Sequence, residues 1–133
     1  MILKDKTIAI DWDGTFVDDG HYPEFGEPKP HAVRVTKRIL EEGGRILIWT
    51  CRGGLDQVTG ISKVLWKNGI EDFIVNEHYP DITGQFEHSS QKVFADVYID
   101  DRGIHSYGKE IDWLEVEKIL FTNTTNNDII KES

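Results

Sequence analysis

The sequence predicts an α/β protein, in which a parallel sheet of about four strands is flanked by helices in a three-layer, Rossmann-like arrangement. Short β-branched, apolar runs have the composition of buried strands, as in TIAID (7–11) and RILIWT (45–50). The segments between such runs space their apolar residues at helical intervals. Strands that alternate with helices are typical of βαβ units, whose right-handed crossovers place helices on the faces of a parallel sheet.

The first strand, 7–11, is followed by a segment that is not expected to be helical. Residues 15–28 hold two glycines and two prolines among aromatic side chains. Glycine and proline interrupt regular structure, so a loop or a small hairpin is expected. Residues 15–28 are called the flap below.

One helix is expected before the second strand and another after it. HAVRVTKRILEE (31–42) has helical periodicity, and the glycines that follow it end the helix. LDQVTGISKVLWKNG (55–69) predicts the second helix, with Gly69 as its stop. One face of this second helix is expected to be buried, and it carries Leu55, Val58, Ile61, Leu65 and Trp66.

The second half of the chain is expected to add two strands. DFIVN (72–76) predicts a short third strand, and DVYIDD (96–101) predicts the fourth. The polar segment 77–92 between them contains proline and glycine, so a long loop, in part helical near its end, is expected.

A closing amphipathic helix is expected over KEIDWLEVEKILF (109–121). The tail over residues 123–133 is rich in Asn and Thr and is expected to be flexible. With 133 residues and no internal repeat, the chain is expected to form a single domain over residues 1–122.

The composition argues against several partners. The formal net charge of −9 disfavours broad electrostatic binding to nucleic acid or to an anionic membrane, since both favour a basic face. We find no apolar stretch long enough to span a bilayer and no secretion leader, so no membrane association is expected. Cys51 is the only cysteine, which favours a cytoplasmic location, and it is expected to be half-buried.

Acidic side chains gather where two of the predicted strands end. Asp11 and Asp13 close the first strand, and Asp100 and Asp101 close the fourth. In a parallel sheet these ends share one edge, which is where such sheets bind ligands. Like charges this close repel unless a cation lies among them. Hard divalent ions such as Mg²⁺ combine one or two carboxylates with waters and phosphate oxygens.

Two further side chains could hold an anion beside such a metal. Thr50 ends the second strand, and Lys92 precedes the fourth strand in a loop expected on the same side. A lysine acts as a positive point charge toward a phosphate. Carboxylates, a metal, a hydroxyl and a lysine together are typical of a phosphoryl-transfer site.

Each of these signals has a simpler explanation when it is taken alone. Asp-x-Asp-Gly and Asp-Asp-Arg-Gly are also turn sequences, because Asp and Gly favour turns. Thr50 could be an ordinary strand-end residue and Lys92 a solvated lysine. Their order along a predicted parallel sheet is the observation that favours a site.

Four parts of the chain, IAIDWDGT (8–15), LIWT (47–50), Lys92 and YIDD (98–101), resemble the four motifs of the haloacid dehalogenase (HAD) superfamily of phosphohydrolases. The resemblance holds in order and in residue type. It implies a Mg²⁺-dependent phosphomonoester hydrolase that acts through an aspartyl-phosphate intermediate.

The resemblance also implies catalytic roles. Asp11 resembles the nucleophile that attacks phosphorus. Asp13 resembles the general acid/base, which protonates the leaving oxygen and then activates water. Thr50 and Lys92 resemble the residues that orient the phosphoryl group and the nucleophile.

The metal implied by the resemblance is Mg²⁺. Asp100 resembles the ligand of the fourth motif, with Asp101 as its partner, either directly or through water. Asp11 also belongs to the implied metal site, and Asp13 contributes through its main-chain carbonyl.

Neighbours of these motifs are weaker candidates. Gly14 and Arg52 are predicted to contact phosphate. Arg52 stands at an expected helix entrance, where backbone amides favour anions, but an ordinary surface arginine is the alternative. Trp12 is expected to pack in the core. Three residues after the third strand could line the mouth of the site, namely Glu77, His78 and Tyr79.

The sequence departs from the larger HAD members, which carry a cap domain over the site. Only the flap and residues 77–91 are free for such an element, so the resemblance implies a capless member. GIHSYG (103–108) leads almost directly to the final helix, so a fifth strand is expected to be absent or vestigial. The flap contains Phe16, Tyr22 and Phe25, which is more aromatic surface than a solvated loop needs, so the flap is expected to pack at the mouth of the site.

Other functions and arrangements remain open from the sequence. A receiver-type phosphoacceptor domain also combines acids, Thr and Lys on a parallel sheet, but it would not release phosphate catalytically. An inactive metal-binding domain is a further alternative. The phosphorylated substrate could be a small molecule or a macromolecule. The flap could close over its own sheet or against a neighbouring subunit of a homo-oligomer.

Overall fold

The computed structural model describes residues 1–77, 79 and 92–122. Within them the chain forms a four-stranded sheet and three α-helices. The elements are β1 (Thr7–Asp11), α1 (Ala32–Glu41), β2 (Arg45–Trp49), α2 (Leu55–Lys67), β3 (Ile74–Val75), β4 (Val97–Ile99) and α3 (Trp113–Glu117), which continues as a wider π-helical segment (Lys118–Thr122). The predicted tail over residues 123–133 and most of the predicted loop 77–92 lie outside the described residues.

All four strands are parallel, and their order across the sheet is β3-β2-β1-β4. The predicted α/β fold class is therefore confirmed. The chain adds β2 and β3 on one side of β1 and then crosses to place β4 on the other side. This reversal creates a topological switch point between β1 and β4. Open α/β sheets bind ligands at such points, outside the carboxyl ends of the strands.

The predicted element bounds hold well through α2 and less well after it. β3 and β4 cover only part of the predicted strands 72–76 and 96–101, since each lies at an edge of the described sheet, where it pairs with one described strand. The closing helix begins at Trp113 and not at residue 109. Asp112 has an extended backbone, and its side chain caps the helix by accepting from the Leu114 N–H at 3.0 Å.

The larger part of the core lies on one face of the sheet. Alternate residues of β1 and β2 point to this face, among them Ile8, Ile10, Ile46 and Ile48, and all are fully buried. Side chains from all three described helices belong to the same cluster. The opposite face carries a smaller cluster of Ala9, Leu47, Val93 and Ala95, with Tyr79 packed against it. A predicted helical layer on that second face would fall mainly outside the described residues.

The buried face of α2 differs from the predicted one. Ile61, Ser62 and Leu65 are its buried residues, whereas Leu55 is 81% exposed and Trp66 is 54% exposed. Leu55 opens the helix, and Trp66 lies at the margin of the stripe, where its ring contacts Phe73 at a centroid distance of 6.4 Å. The helical spacing of apolar residues therefore located the buried face of α2 but not where that face begins and ends.

The described part of the sheet has no fifth strand, and residues 103–108 form turns before α3. Among the described residues, none of the helices combines the length and the apolar character needed to cross a membrane.

The flap is anchored in the core where it begins. Phe16 is fully buried, stacks on Trp12 at 5.2 Å between ring centroids, and meets the Trp113 ring edge-on at 6.1 Å. The prediction that Trp12 packs in the core is confirmed. Phe16 fills the space between two buried tryptophans and does not reach the mouth of the site.

Candidate functional site

A cavity of about 770 Å³ opens at the carboxyl edge of the sheet. Its volume is typical of a small-molecule site. The ends of β1, β2 and β4 contribute to its walls together with the flap. The described residues that line it are Asp11, Asp13, Asp19, Tyr22, Trp49, Thr50, Cys51, Arg52, Gly53, Asp100 and Arg102.

Three carboxylates meet beside this cavity. Asp11 lies at the end of β1, and Asp100 and Asp101 directly follow β4. Each offers one oxygen, and the three oxygens lie within 4.8 Å of one another. These residues meet because their two strands are neighbours on either side of the switch point. We refer to Asp11, Asp100 and Asp101 as the acid cluster.

Thr15 bridges the acid cluster, a role that the sequence analysis did not assign to it. Its Oγ1 lies 3.0 Å from Asp11 Oδ2 and 3.2 Å from Asp101 Oδ1, so its single hydroxyl proton is within reach of both carboxylates. The same oxygen accepts a 3.1 Å hydrogen bond from the Asp101 N–H. Its position directly after Asp-x-Asp-Gly was the sequence signal that could have identified Thr15 as a site residue.

The turn after β1 brings Thr15 into this position. Gly14 has φ +84°, which favours glycine, and the N–H groups of residues 15–17 all point to the Trp12 carbonyl. A Cβ at Gly14 would collide with the Asp101 carboxylate. Gly14 was predicted to contact phosphate. The structure places it against Asp101 and not among the described residues that line the cavity.

Burial and neighbouring charge make Asp11 hard to ionise. Desolvation, followed by the charge of Asp100, raises the pKa of Asp11 from 3.8 to about 7, and Asp101 acts in the same direction. The hydrogen bond from Thr15 opposes this shift. A cation among the three carboxylates would offset the same repulsion. An oxygen-only, anionic set of donors suits a hard divalent ion, so these residues fit Mg²⁺.

Asp13 does not join the acid cluster with its side chain. Both of its carboxylate oxygens accept hydrogen bonds from Arg52, Oδ2 from Nε at 2.8 Å and Oδ1 from Nη2 at 2.8 Å. Such two-pronged contacts fix the orientation of a carboxylate. For the metal implied by the resemblance, Asp13 would therefore offer its main-chain carbonyl.

Arg52 is not a surface arginine, so that interpretation of the sequence is wrong, whereas its predicted contact with phosphate stays a prediction. It is only 4% exposed. Besides binding Asp13, Nη1 donates to Gln57 Oε1 at 2.8 Å and to the Pro23 carbonyl at 3.2 Å, and Nη2 donates to the Glu24 carbonyl at 2.7 Å. Hydrogen bonding to Asp13 raises the pKa of Arg52. The flap covers the guanidinium and supplies acceptors that the sequence pattern did not reveal.

Thr50 lines the cavity, and Asn76 fixes the loop around it. The Thr50 N–H donates to Asn76 Oδ1 at 2.8 Å, and Asn76 Nδ2 donates to the Arg52 carbonyl at 3.2 Å. Thr50 Oγ1 accepts from the Arg52 N–H at 3.1 Å. The sequence analysis missed Asn76, although a polar residue directly after a buried strand was a usable signal.

The structure places Lys92 against Tyr98 of β4. Its Nζ lies 5.3 Å from the centre of the Tyr98 ring, and it is not among the described residues that line the cavity. The Tyr98 hydroxyl bonds to the backbone of Val93 and Ala95, so this segment is held on the sheet face. The phosphate-binding role of Lys92 stays a prediction.

Of the predicted mouth residues 77–79, the described Glu77 and Tyr79 are not among the residues that line the cavity. The Tyr79 hydroxyl donates to the Ile46 carbonyl at 2.8 Å, and its ring stacks with Arg45 at 4.4 Å. Both partners belong to the amino-terminal end of β2, so Tyr79 packs on the sheet. Glu77 is exposed and does not line the described cavity, and His78 lies outside the described residues.

Several cavity residues were not singled out by their sequence context. Cys51 is exposed at the cavity, so the expectation of a half-buried packing residue is wrong. Arg102 is an exposed cation of the wall, and its N–H donates to Asp100 Oδ1 at 2.9 Å. Trp49 and Tyr22 add aromatic surface.

Fold and site together define an α/β protein with a parallel sheet whose carboxyl edge carries a compact acid cluster and a cavity. A solved structure of a conserved protein coded by a locus of Bacteroides thetaiotaomicron is similar to this chain, with a TM-score of 0.75 and 32% sequence identity. The similarity covers 95% of this chain and 98% of that chain. The protein therefore belongs to the same family as this conserved Bacteroides protein. No protein-family model and no curated protein matches the sequence.

Proposed function

We propose that the protein is a Mg²⁺-dependent phosphomonoester hydrolase of the HAD type that acts through an aspartyl-phosphate on Asp11. The observation that carries the proposal is the acid cluster at the switch point of a parallel sheet, beside a cavity of small-molecule size. The order of the four sequence motifs supports it.

The acid cluster would hold the metal through Asp11, Asp100 and Asp101. When bound, Mg²⁺ would neutralise the charge that otherwise keeps an anionic nucleophile away from an anionic phosphate. Thr15 keeps the Asp11 and Asp101 carboxylates in place through its hydroxyl. The raised pKa of Asp11 is consistent with a carboxylate that needs a cation beside it to ionise fully near neutral pH.

The proposed reaction has two steps on Asp11. The Asp11 carboxylate attacks phosphorus, and the bond between phosphorus and the ester oxygen breaks. Asp13, after one of its oxygens has exchanged its hydrogen bond from Arg52 for a proton, gives that proton to the departing alcohol. Asp13 then takes a proton from water as the water oxygen attacks phosphorus. The bond between phosphorus and Asp11 breaks, and inorganic phosphate and the free Asp11 carboxylate result.

The cavity favours a small phosphate ester as the substrate. Its volume of about 770 Å³ could accommodate a sugar phosphate or a nucleotide. Trp49 and Tyr22 offer apolar surface for the organic part. Thr50 and the cation Arg102 line the same cavity and are suited to contact the phosphate group.

Release of inorganic phosphate from a panel of small phosphate esters tests the proposal. We expect turnover with Mg²⁺, loss of turnover in EDTA, and recovery on adding Mg²⁺ back. Asp11→Asn should reduce turnover to less than about a tenth, which corresponds to a barrier increase of more than ~1.4 kcal/mol. Activity that persists in EDTA, or an Asn variant that is as active as the wild type, would refute the mechanism.

A further inference from the structure

We propose that Arg52 is a positioning residue that couples the flap to Asp13, so that the position of the flap sets the position of the general acid/base. The catalytic meaning of this coupling rests on the proposed function. The coupling itself is a physical property of the chain and can be measured without any substrate.

The hydrogen bonds of Arg52 connect three parts of the molecule. A guanidinium has five N–H donors in a rigid plane. Two bind the Asp13 carboxylate, two bind the flap carbonyls of Pro23 and Glu24, and one binds Gln57 of α2. Since every donor has an acceptor, Arg52 cannot move relative to the flap without breaking bonds to Asp13 or to the flap.

Flap side chains complete the enclosure of Arg52. The Phe25 ring centre lies 4.5 Å from the guanidinium carbon and the Tyr22 ring centre lies 5.1 Å from it. Phe25 also rests on Gly60 of α2, where a Cβ would overlap its ring. α2 therefore has a surface shaped to receive Phe25. Within this chain the flap therefore lies over Arg52 and the start of α2.

Opening of the flap would break specific interactions of Arg52. The guanidinium would lose both flap carbonyls and the contacts with two aromatic rings. Arg52 would then be free to change its orientation, and the Asp13 carboxylate that it binds would be held less firmly. Asp13 must transfer a proton to the leaving oxygen in the proposed reaction, and a misplaced acid loses most of its effect. Flap position and acid/base position are thus linked through one side chain.

Leaving-group dependence distinguishes positioning from a purely structural role. A good leaving group such as 4-nitrophenolate departs with little help from an acid, whereas an alkoxide needs a proton. A structural defect would slow both kinds of ester alike. A misplaced Asp13 would slow formation of the aspartyl-phosphate selectively for the alkyl ester, and kcat/KM reports this step. Hydrolysis of the aspartyl-phosphate, in which Asp13 acts as a base, is common to both esters.

The experiment compares Arg52→Lys and Arg52→Gln with the wild type on an alkyl phosphate and on 4-nitrophenyl phosphate. Lysine keeps the charge but cannot make two parallel bonds to a carboxylate. We expect kcat/KM for the alkyl ester to fall at least about tenfold more than kcat/KM for the aryl ester, as in Asp13→Asn, because kcat/KM covers the step in which Asp13 acts as an acid. Equal losses of kcat/KM on both esters would overturn the positioning role.

Arg34→Lys is the matched control. Arg34 also makes a two-pronged pair, with Glu117 at 2.7 Å and 3.0 Å, but on the exposed side of α1. This variant should keep the wild-type ratio between the two esters. A selective loss in Arg34→Lys would show that any loosened ion pair produces the signature, which would also overturn the proposal.

Hydrogen exchange of flap amides tests the coupling without catalysis. Asp13→Asn and both Arg52 variants should speed exchange over residues 16–28, since each weakens the same link. Unchanged flap exchange in the folded Asp13→Asn protein would overturn the coupling, even where the Arg52 variants fail to fold. If the wild type releases no phosphate from either ester while Asp13→Asn loosens the flap, the proposed function fails and the coupling stands.

Discussion

The indole N–H of Trp113 donates a 2.8 Å hydrogen bond to the carbonyl oxygen of Thr15. Trp113 opens α3 and is only 1% exposed, and the bond is fully buried. Thr15 in turn bridges two carboxylates of the acid cluster with its hydroxyl. The last helix of the described chain therefore supports the turn that carries the candidate site.

Trp113→Phe should destabilise the fold through this bond. Phenylalanine keeps much of the apolar volume but removes the donor, so the buried Thr15 carbonyl loses a partner. We expect the free energy of unfolding to fall by about 1–3 kcal/mol, measured by chemical denaturation. Trp66→Phe is the control, since Trp66 is 54% exposed and should tolerate the change. Equal stability of the Trp113 variant and the wild type would contradict a supporting role for this bond.

Thr15→Val should weaken Mg²⁺ binding more than it weakens the fold. Valine has a similar shape but no hydroxyl, so Asp11 and Asp101 lose a shared hydrogen-bond donor. Because the Thr15 hydrogen bond lowers the pKa of Asp11, its loss raises that pKa further and makes the carboxylate harder to ionise. We expect Mg²⁺ affinity, measured by calorimetry, to fall by about tenfold, the equivalent of roughly 1.4 kcal/mol. Thr15→Ser keeps the hydroxyl and should bind nearly as well as the wild type. If Thr15→Val and Thr15→Ser bind Mg²⁺ with equal affinity, the hydroxyl of residue 15 has no role in metal binding.

Without Mg²⁺, the protein should lose stability as the pH rises through the neutral range. The pKa of Asp11 is about 7 in the folded chain, against an ordinary value of 3.8. The folded state therefore holds a proton that the unfolded state has lost between these two values. Stability from this group is fully present below pH 3.8 and is lost as the pH rises through about 7. Glu117, whose pKa is lowered from 4.5 to about 2, contributes stability that is lost as the pH falls below 4.5, so the Asp11 slope is read above that value.

Denaturation curves from pH 4 to pH 8, with and without Mg²⁺, measure this slope. Asp11→Asn should flatten the metal-free profile, because the amide does not titrate. Saturating Mg²⁺ should stabilise the wild type most at high pH, where the ion replaces the lost proton. A metal-free wild-type profile identical to that of Asp11→Asn would show that Asp11 titrates outside this range.

The sequence was sufficient where periodicity or strand order determines the structure. β1 and β2 have the clearest buried runs. Asp11 and Asp100 meet because the carboxyl ends of neighbouring parallel strands must share one edge. These predictions needed only the alternation of strands and helices and the rule for right-handed crossovers.

The rest depended on irregular segments, for which no period exists. The pairing of Arg52 with Asp13 depends on how the flap folds over the entrance of α2, and a sequence pattern does not encode that path. The same limit explains Phe16, since an aromatic residue in a loop can face the core or the solvent with equal local propensity. The space between Trp12 and Trp113 decides its place.

Gly14→Ala should be much more harmful than Gly20→Ala, although both glycines have φ +84°. The backbone strain of an alanine at this φ is common to the two variants and costs roughly 1 kcal/mol. A Cβ at Gly20 would meet no atom within 4 Å, whereas a Cβ at Gly14 would collide with the Asp101 carboxylate. The difference between the two variants therefore isolates the packing of Gly14 against the acid cluster. We expect Gly20→Ala to keep wild-type Mg²⁺ affinity and Gly14→Ala to lose it, both measured by calorimetry on folded protein. Equal Mg²⁺ affinities in the two alanine variants would show that Asp101 can move aside without cost, and would remove Asp101 from the set of residues that the metal needs.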